Sequence, residues 1–147
     1  MLSFDTNVLV YAADRTAGIR HAAAVKLLSV AASGAAVLNE QSVMEFLNVA
    51  TRKQKQPLGE AANLVQSWLR NFPLITAAET VFEGTMALLN SYSLSIWDAH
   101  MLAICGSNGC NALLSEDLAD GAWYDKVRVL NPFNAANTQI VAEMLES

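Results

Sequence analysis

The chain has 147 residues, 53% of them hydrophobic and only 16% charged, with a formal net charge of −5. That is one domain's length, able to bury roughly 70% of its unfolded surface, and the composition excludes a disordered chain. The acidic balance excludes a general nucleic-acid-coating protein, but not a site whose acids hold metal, because bound cations reverse the local field.

No apolar run approaches the ~18 residues needed to cross a bilayer, so no membrane association is expected. The N-terminus lacks a basic region and Asp5 interrupts its apolar stretch, which argues against a signal peptide. Cys105 and Cys110 show neither CxxC nor zinc spacing and read as two reduced thiols of a cytoplasmic protein.

In chain order, Leu2 to Phe4 reads as a short buried strand, followed by a helical turn from Asn7 to Tyr11. Ile19 to Ala32 is helical, with Ala24, Val25, Leu28 and Ala32 on one stripe and Gly34 as its stop. Ala35 to Leu38 is a second strand. Gln41 to Lys55 is a helix ended by Pro57-Leu-Gly59, and Glu60 to Asn71 is another. Phe72 to Ile75 is a strand and Ala78 to Tyr92 a helix. Ser95 caps a helix to about Ser107, with Asp98 in a variant of the capping box, and Gly109 terminates it. Ala112 to Leu114 and Val127 to Leu130 are strands, separated by a polar loop from Ser115 to Lys126. A last helix spans Ala135 to Leu145. Short apolar strands alternating with helices predict an α/β fold, a parallel sheet covered on both faces. Ligands of such folds bind beyond the carboxyl ends of the strands, and Asp5 and Asp117 each follow one.

Four acids stand out: Asp5, Glu45, Asp98 and Asp117. Each has a structural reading. Asp5 can cap a helix, Glu45 can face solvent, Asp98 can favour a helix's first turn, and Asp117 can belong to turn chemistry. Gathered from separate elements they would repel one another strongly, so a fold that brings them together calls for a divalent cation and suggests phosphoryl chemistry. His100, two residues after Asp98, reads as structural. The run Arg52-Lys53-Gln-Lys55 reads as favourable charge at a helix end. Trp68, Trp97 and Trp123 read as core or interface, with Trp123 and Tyr124 the best placed to stack on a base.

The stretches Asp5-Thr-Asn-Val-Leu-Val-Tyr, Glu45-Phe-Leu-Asn-Val, Leu94-Ser-Ile-Trp-Asp98-Ala-His-Met-Leu-Ala and Leu113-Leu-Ser-Glu-Asp117-Leu resemble the PIN-domain ribonuclease family, and more closely its VapC-like toxin branch. The resemblance implies a three-layer α/β/α sandwich with a short parallel central sheet. A nuclease domain would span residues 1–133, with a helical tail at 134–147 packed on it. It also implies Asp5, Glu45, Asp98 and Asp117 as metal-binding and catalytic acids, with Thr6 and Ser115 as nearby small polar residues. Asn7, Glu116 and Asp120 are outer candidates. The implied activity is Mg²⁺- or Mn²⁺-dependent endoribonuclease cleavage leaving 5′-phosphate and 3′-hydroxyl ends. The implied partners are RNA, a VapB-like antitoxin with a basic tail, and a second copy in a homodimer. The apolar helices around residues 42–70 are the expected partner groove. The alternative is a catalytically silent PIN-like module that binds RNA or protein. A haloacid-dehalogenase-type phosphatase would carry Asp where Asn7 stands, and a receiver domain would need a late Lys; neither requirement is met.

Overall fold

Alternation along strands of two to four residues sorts the side chains of this protein into two cores. A computed structural model describes Met1 to Ser147. Strand β1 (Leu2–Phe4) leads to helices α1 (Thr6–Ala13) and α2 (Ile19–Ala31), then β2 (Ala36–Asn39). Helix α3 (Glu40–Asn48) runs into a π-helical turn (Val49–Lys53), followed by α4 (Leu58–Leu69) and β3 (Leu74–Ile75). Then come α5 (Val81–Ser91), α6 (Ile96–Ser107), β4 (Ala112–Leu114), β5 (Trp123–Tyr124), β6 (Val127–Leu130) and α7 (Thr138–Glu146).

The strands form one sheet in the order β3-β2-β1-β4-β6-β5, parallel except for β5, which runs antiparallel to β6. Leu2, Phe4, Leu38 and Leu114 point to one face, where they pack with α1, α2, α3, α4 and α7. Val37, Leu113, Val127 and Val129 point to the other, under α5 and α6. The period-two alternation of each strand therefore yields the three layers directly. Edge-on aromatic pairs lock the larger core: Phe4 with Phe72 at 5.6 Å between ring centroids, and Phe46 with Trp68 at 4.9 Å. No helix is long and apolar enough to cross a membrane.

Most elements agree with the sequence reading to within a few residues, and the departures have physical causes. The third helix does not continue smoothly to Lys55: it ends at Asn48 and widens into the π turn, beyond which Lys55 takes a left-handed backbone with φ of 52°. The loop from Ser115 to Lys126 contains β5, two residues too short to show a period. Gly34 is required for proximity rather than as a helix stop: a Cβ there would lie 2.6 Å from the carbonyl oxygen of Leu145. That carbonyl accepts the Ala35 N–H at 2.8 Å, so the end of α7 is tied to the entrance of β2. Val141 and Leu145 complete the attachment by entering the larger core. Gly109, with φ of 78°, is the left-handed residue expected after α6.

The chain reverses direction across the sheet between β1 and β4, whose outward crossovers lead to opposite sides. A crevice opens at the carboxyl ends of such a pair.

Candidate metal-binding acid site

Asp5 leaves β1 and caps α1. Its Oδ1 accepts the Thr6 N–H at 2.6 Å and its Oδ2 accepts the Ser115 hydroxyl at 2.5 Å. Ser115 follows β4 directly, and its Oγ also accepts the Asp117 N–H at 3.2 Å. One buried serine thus fastens the two loops at the switch point. Capping and site-building are the same interaction here, so the structural and functional readings of Asp5 coexist.

Asp5 is only 6% exposed. Burial pushes its pKa from 3.8 to about 6; the Ser115 and Thr6 hydrogen bonds hold it down, while the charges of Asp117 and Asp98 push it further up. Asp117 is also raised, by desolvation first and then by Glu116 and Asp98. Its carboxylate accepts the Asn7 side-chain amide. Asp98 lies in the first turn of α6, where its N–H donates to the Ser95 hydroxyl at 3.1 Å. The reciprocal bond of a full capping box is not made, which leaves the Asp98 carboxylate free within the field of the other two acids.

Glu45 reaches the group from α3. Its Oε2 accepts the Thr6 hydroxyl at 3.1 Å and its Oε1 accepts the Gln41 amide at 2.7 Å. Gln41 escaped the sequence reading because nothing in a lone Gln marks it. The structure buries it with both amide hydrogens and the oxygen engaged: its amide nitrogen also donates to the Trp97 carbonyl at 2.9 Å, and its oxygen faces His100 Nδ1 at 2.6 Å. His100 therefore belongs to a chain of hydrogen bonds that ends on Glu45. The only sequence signal that could have exposed Gln41 was its spacing, one turn before Glu45 on the same face.

The carboxylates of the remaining candidates are engaged in other contacts, although Glu116 still bears on Asp117. Glu116 pairs with Arg20 at 3.2 Å and accepts the Tyr11 hydroxyl, fastening the β4 loop to α1 and α2. Asp120 accepts from the Asn131 N–H and from the side chains of Asn134 and Asn137, fastening the segment that leads into α7. Those hydrogen bonds hold its carboxyl below the usual range. Trp123 and Trp97 are both exposed; Trp123 lies beside Arg128, and Trp97 lines a cleft with Glu45.

No three His, Cys, Asp or Glu side chains close into a ready-made metal cage. Asp5, Asp98 and Asp117 instead form a loose group of uncompensated carboxylates, and Glu45 joins it through Thr6. The donor set fits a hard divalent cation such as Mg²⁺, which keeps several waters and commonly takes only one or two direct carboxylates. A buried Asp without a cationic partner, raised by two neighbouring acids, is the electrostatic condition that such an ion relieves.

The PIN domain family model matches residues 3–119. The chain is similar to one from a toxin–antitoxin complex of Klebsiella pneumoniae, with 25% identity and a TM-score of 0.64 over 90% of this chain and 98% of that one. It is similar in fold to VapC20 of Mycobacterium tuberculosis, described as a sarcin–ricin-loop-cleaving toxin, with 16% identity and a TM-score of 0.63 over 87% and 99% of the two chains. It is also similar in fold to FitAcB of Neisseria gonorrhoeae, with 17% identity and a TM-score of 0.65 over 91% and 99%. Comparison with curated proteins gives no match.

Proposed function

The chain belongs to the PIN-domain family, and from that premise we propose that it is a metal-dependent endoribonuclease, the toxin of a toxin–antitoxin pair. The observation that carries the reading is Asp5: buried, without a cationic partner, and grouped with Asp98 and Asp117 at the switch point of the sheet. The similarity to a chain of a toxin–antitoxin complex supports the pairing.

Asp5, Asp98 and Asp117 are the residues that would hold Mg²⁺ or Mn²⁺, with Glu45 acting directly or through water. Such an ion supplies Lewis acidity toward the phosphoryl group and activation of water near neutral pH. The chain's own contribution is orientation. Ser115 and the Thr6 N–H fix both oxygens of Asp5, Asn7 fixes Asp117, and Thr6 with Gln41 fixes Glu45. Such supporting hydrogen bonds keep ligands in one rotamer, so that binding the ion costs little reorganisation. Hydrolysis at this site would leave 5′-phosphate and 3′-hydroxyl ends.

The partners proposed are RNA, a second copy in a homodimer, and an antitoxin whose basic tail enters the acidic crevice. An acidic chain of net charge −5 suits such a tail. The reading is tested by incubating purified protein with labelled structured RNAs in Mg²⁺, Mn²⁺ or EDTA, beside Asp5→Asn and Asp98→Asn. Cleavage that needs metal and disappears in both variants is expected. Metal binding without cleavage of any RNA would turn the reading toward a silent binding module.

A further inference from the structure

Trp97 is the second residue of α6, directly before Asp98, and 67% of it is exposed. An indole left in water forgoes one of the largest apolar burials available to a side chain, and the flanking Ile96 is exposed as well. The indole forms one wall of a cleft of about 350 Å³, lined by Gln41, Met44, Glu45, Asn48 and Trp97. That volume lies in the range of small-ligand sites. Glu45 belongs both to this cleft and to the acid group.

Resting on the nuclease reading above, we propose that Trp97 is the stacking platform for one unpaired nucleobase of a single-stranded RNA substrate, with Met44 as the opposing apolar wall and the Asn48 carboxamide at the base edge.

Three observations favour this occupant. First, the cleft offers the mostly apolar surface of Met44 and Trp97 with a few polar groups beside it, and the Asn48 side chain makes no hydrogen bond within the chain, leaving a donor and an acceptor free. Apolar walls with a few placed polar groups are the lining of a small planar ligand's site. Second, the Gln41 amide donates to the Trp97 backbone carbonyl at 2.9 Å and to Glu45 at 2.7 Å. The main chain that carries the indole is therefore tied to Glu45 through one side chain. Third, a chain of net charge −5 with grouped carboxylates gains little from phosphate attraction. Stacking on an aromatic face is indifferent to charge and tolerant of sequence. The occupant must be unpaired, since a base within a duplex cannot present its face to an indole. Arg52, one turn beyond Asn48 and exposed, is placed for a flanking phosphate.

The test uses the full chain with Trp123→Phe, which leaves Trp97 as the exposed indole while Trp68 stays buried. The probes are 2′-O-methyl single-stranded hexanucleotides with Mg²⁺, intact or with one abasic nucleotide at each position in turn, and a blunt-ended duplex without unpaired bases. The intact strands should quench Trp97 fluorescence saturably and the duplex should not. Read from the anisotropy of a fluorescein-labelled strand, Trp97→Leu should weaken binding on the order of ten-fold, by the same factor at low and at moderate salt, and Trp97→Phe should recover most of it. An abasic nucleotide at one position should abolish the difference between Trp97 and Leu. Equal affinity in wild type and Trp97→Leu, with wild type still cutting RNA, would overturn the stacking platform alone. A change of oligomeric mass in Trp97→Leu with RNA affinity unchanged would overturn it in favour of a protein-facing surface. Wild type that neither binds nor cuts any RNA would overturn both this inference and the nuclease reading.

Discussion

Asp5 carries the largest electrostatic cost among the candidate acids. Its folded pKa of about 6 lies above the ordinary 3.8, so the folded state holds this proton more tightly than the unfolded one. Stability contributed by the neutral form is therefore fully present below about pH 4 and is lost as pH rises through about 6, a span on the order of 2–3 kcal/mol. Asp5→Asn should accordingly raise the melting temperature of the metal-free protein at pH 7 and flatten its stability between pH 4 and 7, while abolishing cleavage. The gain should fall short of the full span, because the Asn amide can keep the Thr6 N–H bond but not accept from Ser115. Chemical denaturation at a series of pH values checks both parts, and a wild-type pH dependence retained in the variant would contradict the assignment. Gln41 makes the complementary case of a residue that acts through another. Gln41→Leu should leave the fold in place but release Glu45 and strand His100, lowering Mn²⁺ affinity or cleavage on the order of 10- to 100-fold. A cleavage titration against metal concentration would show it, and unchanged metal dependence would count against the positioning role.

At the scale of elements, the attachment of α7 is a close approach rather than a broad interface. Gly34 leaves room for the Leu145 carbonyl, which a methyl group would meet at 2.6 Å. Gly34→Ala should therefore destabilise the protein by about 1–3 kcal/mol, read as a lower denaturation midpoint with faster amide exchange at Ala35. Asp120→Ala should loosen the segment from Asn131 to Asn137 without touching the acid group, because the Asp120 carboxylate is spent on those three asparagines. Amide exchange would rise there while metal binding stays unchanged. These two contacts also mark where the sequence was hard to read. Strands and helices with a clean apolar period could be placed from residues alone, as were Asp5 and Asp117 at strand ends and Ser95 as a cap. The reason for Gly34, the π turn after Asn48 and the two-residue β5 depend on partners far along the chain, which no local pattern encodes.

For the whole molecule, the decisive fact is that β1 and β4 are neighbours although most of the chain separates them. Only that adjacency brings Asp5 to Ser115 and, with them, Asp98 and Asp117 into one field. Residue types and order were legible beforehand, which is why the four acids could be named. Their arrangement was not: they form a loose group steadied by Ser115, Asn7, Thr6 and Gln41 rather than a closed cage. A lone Gln or an exposed Trp carries no mark of its neighbours, so Gln41 and Trp97 became visible only through the contacts that α3 and α6 make across the crevice. The central claim is that these carboxylates hold a divalent ion, and it is tested most directly by titrating metal-free protein with Mn²⁺ in a calorimeter beside Asp5→Asn and Asp98→Asn. Saturable binding by the wild type, lost or strongly weakened in both variants, is the predicted result. Equal binding in all three proteins, or none in the wild type, would contradict it.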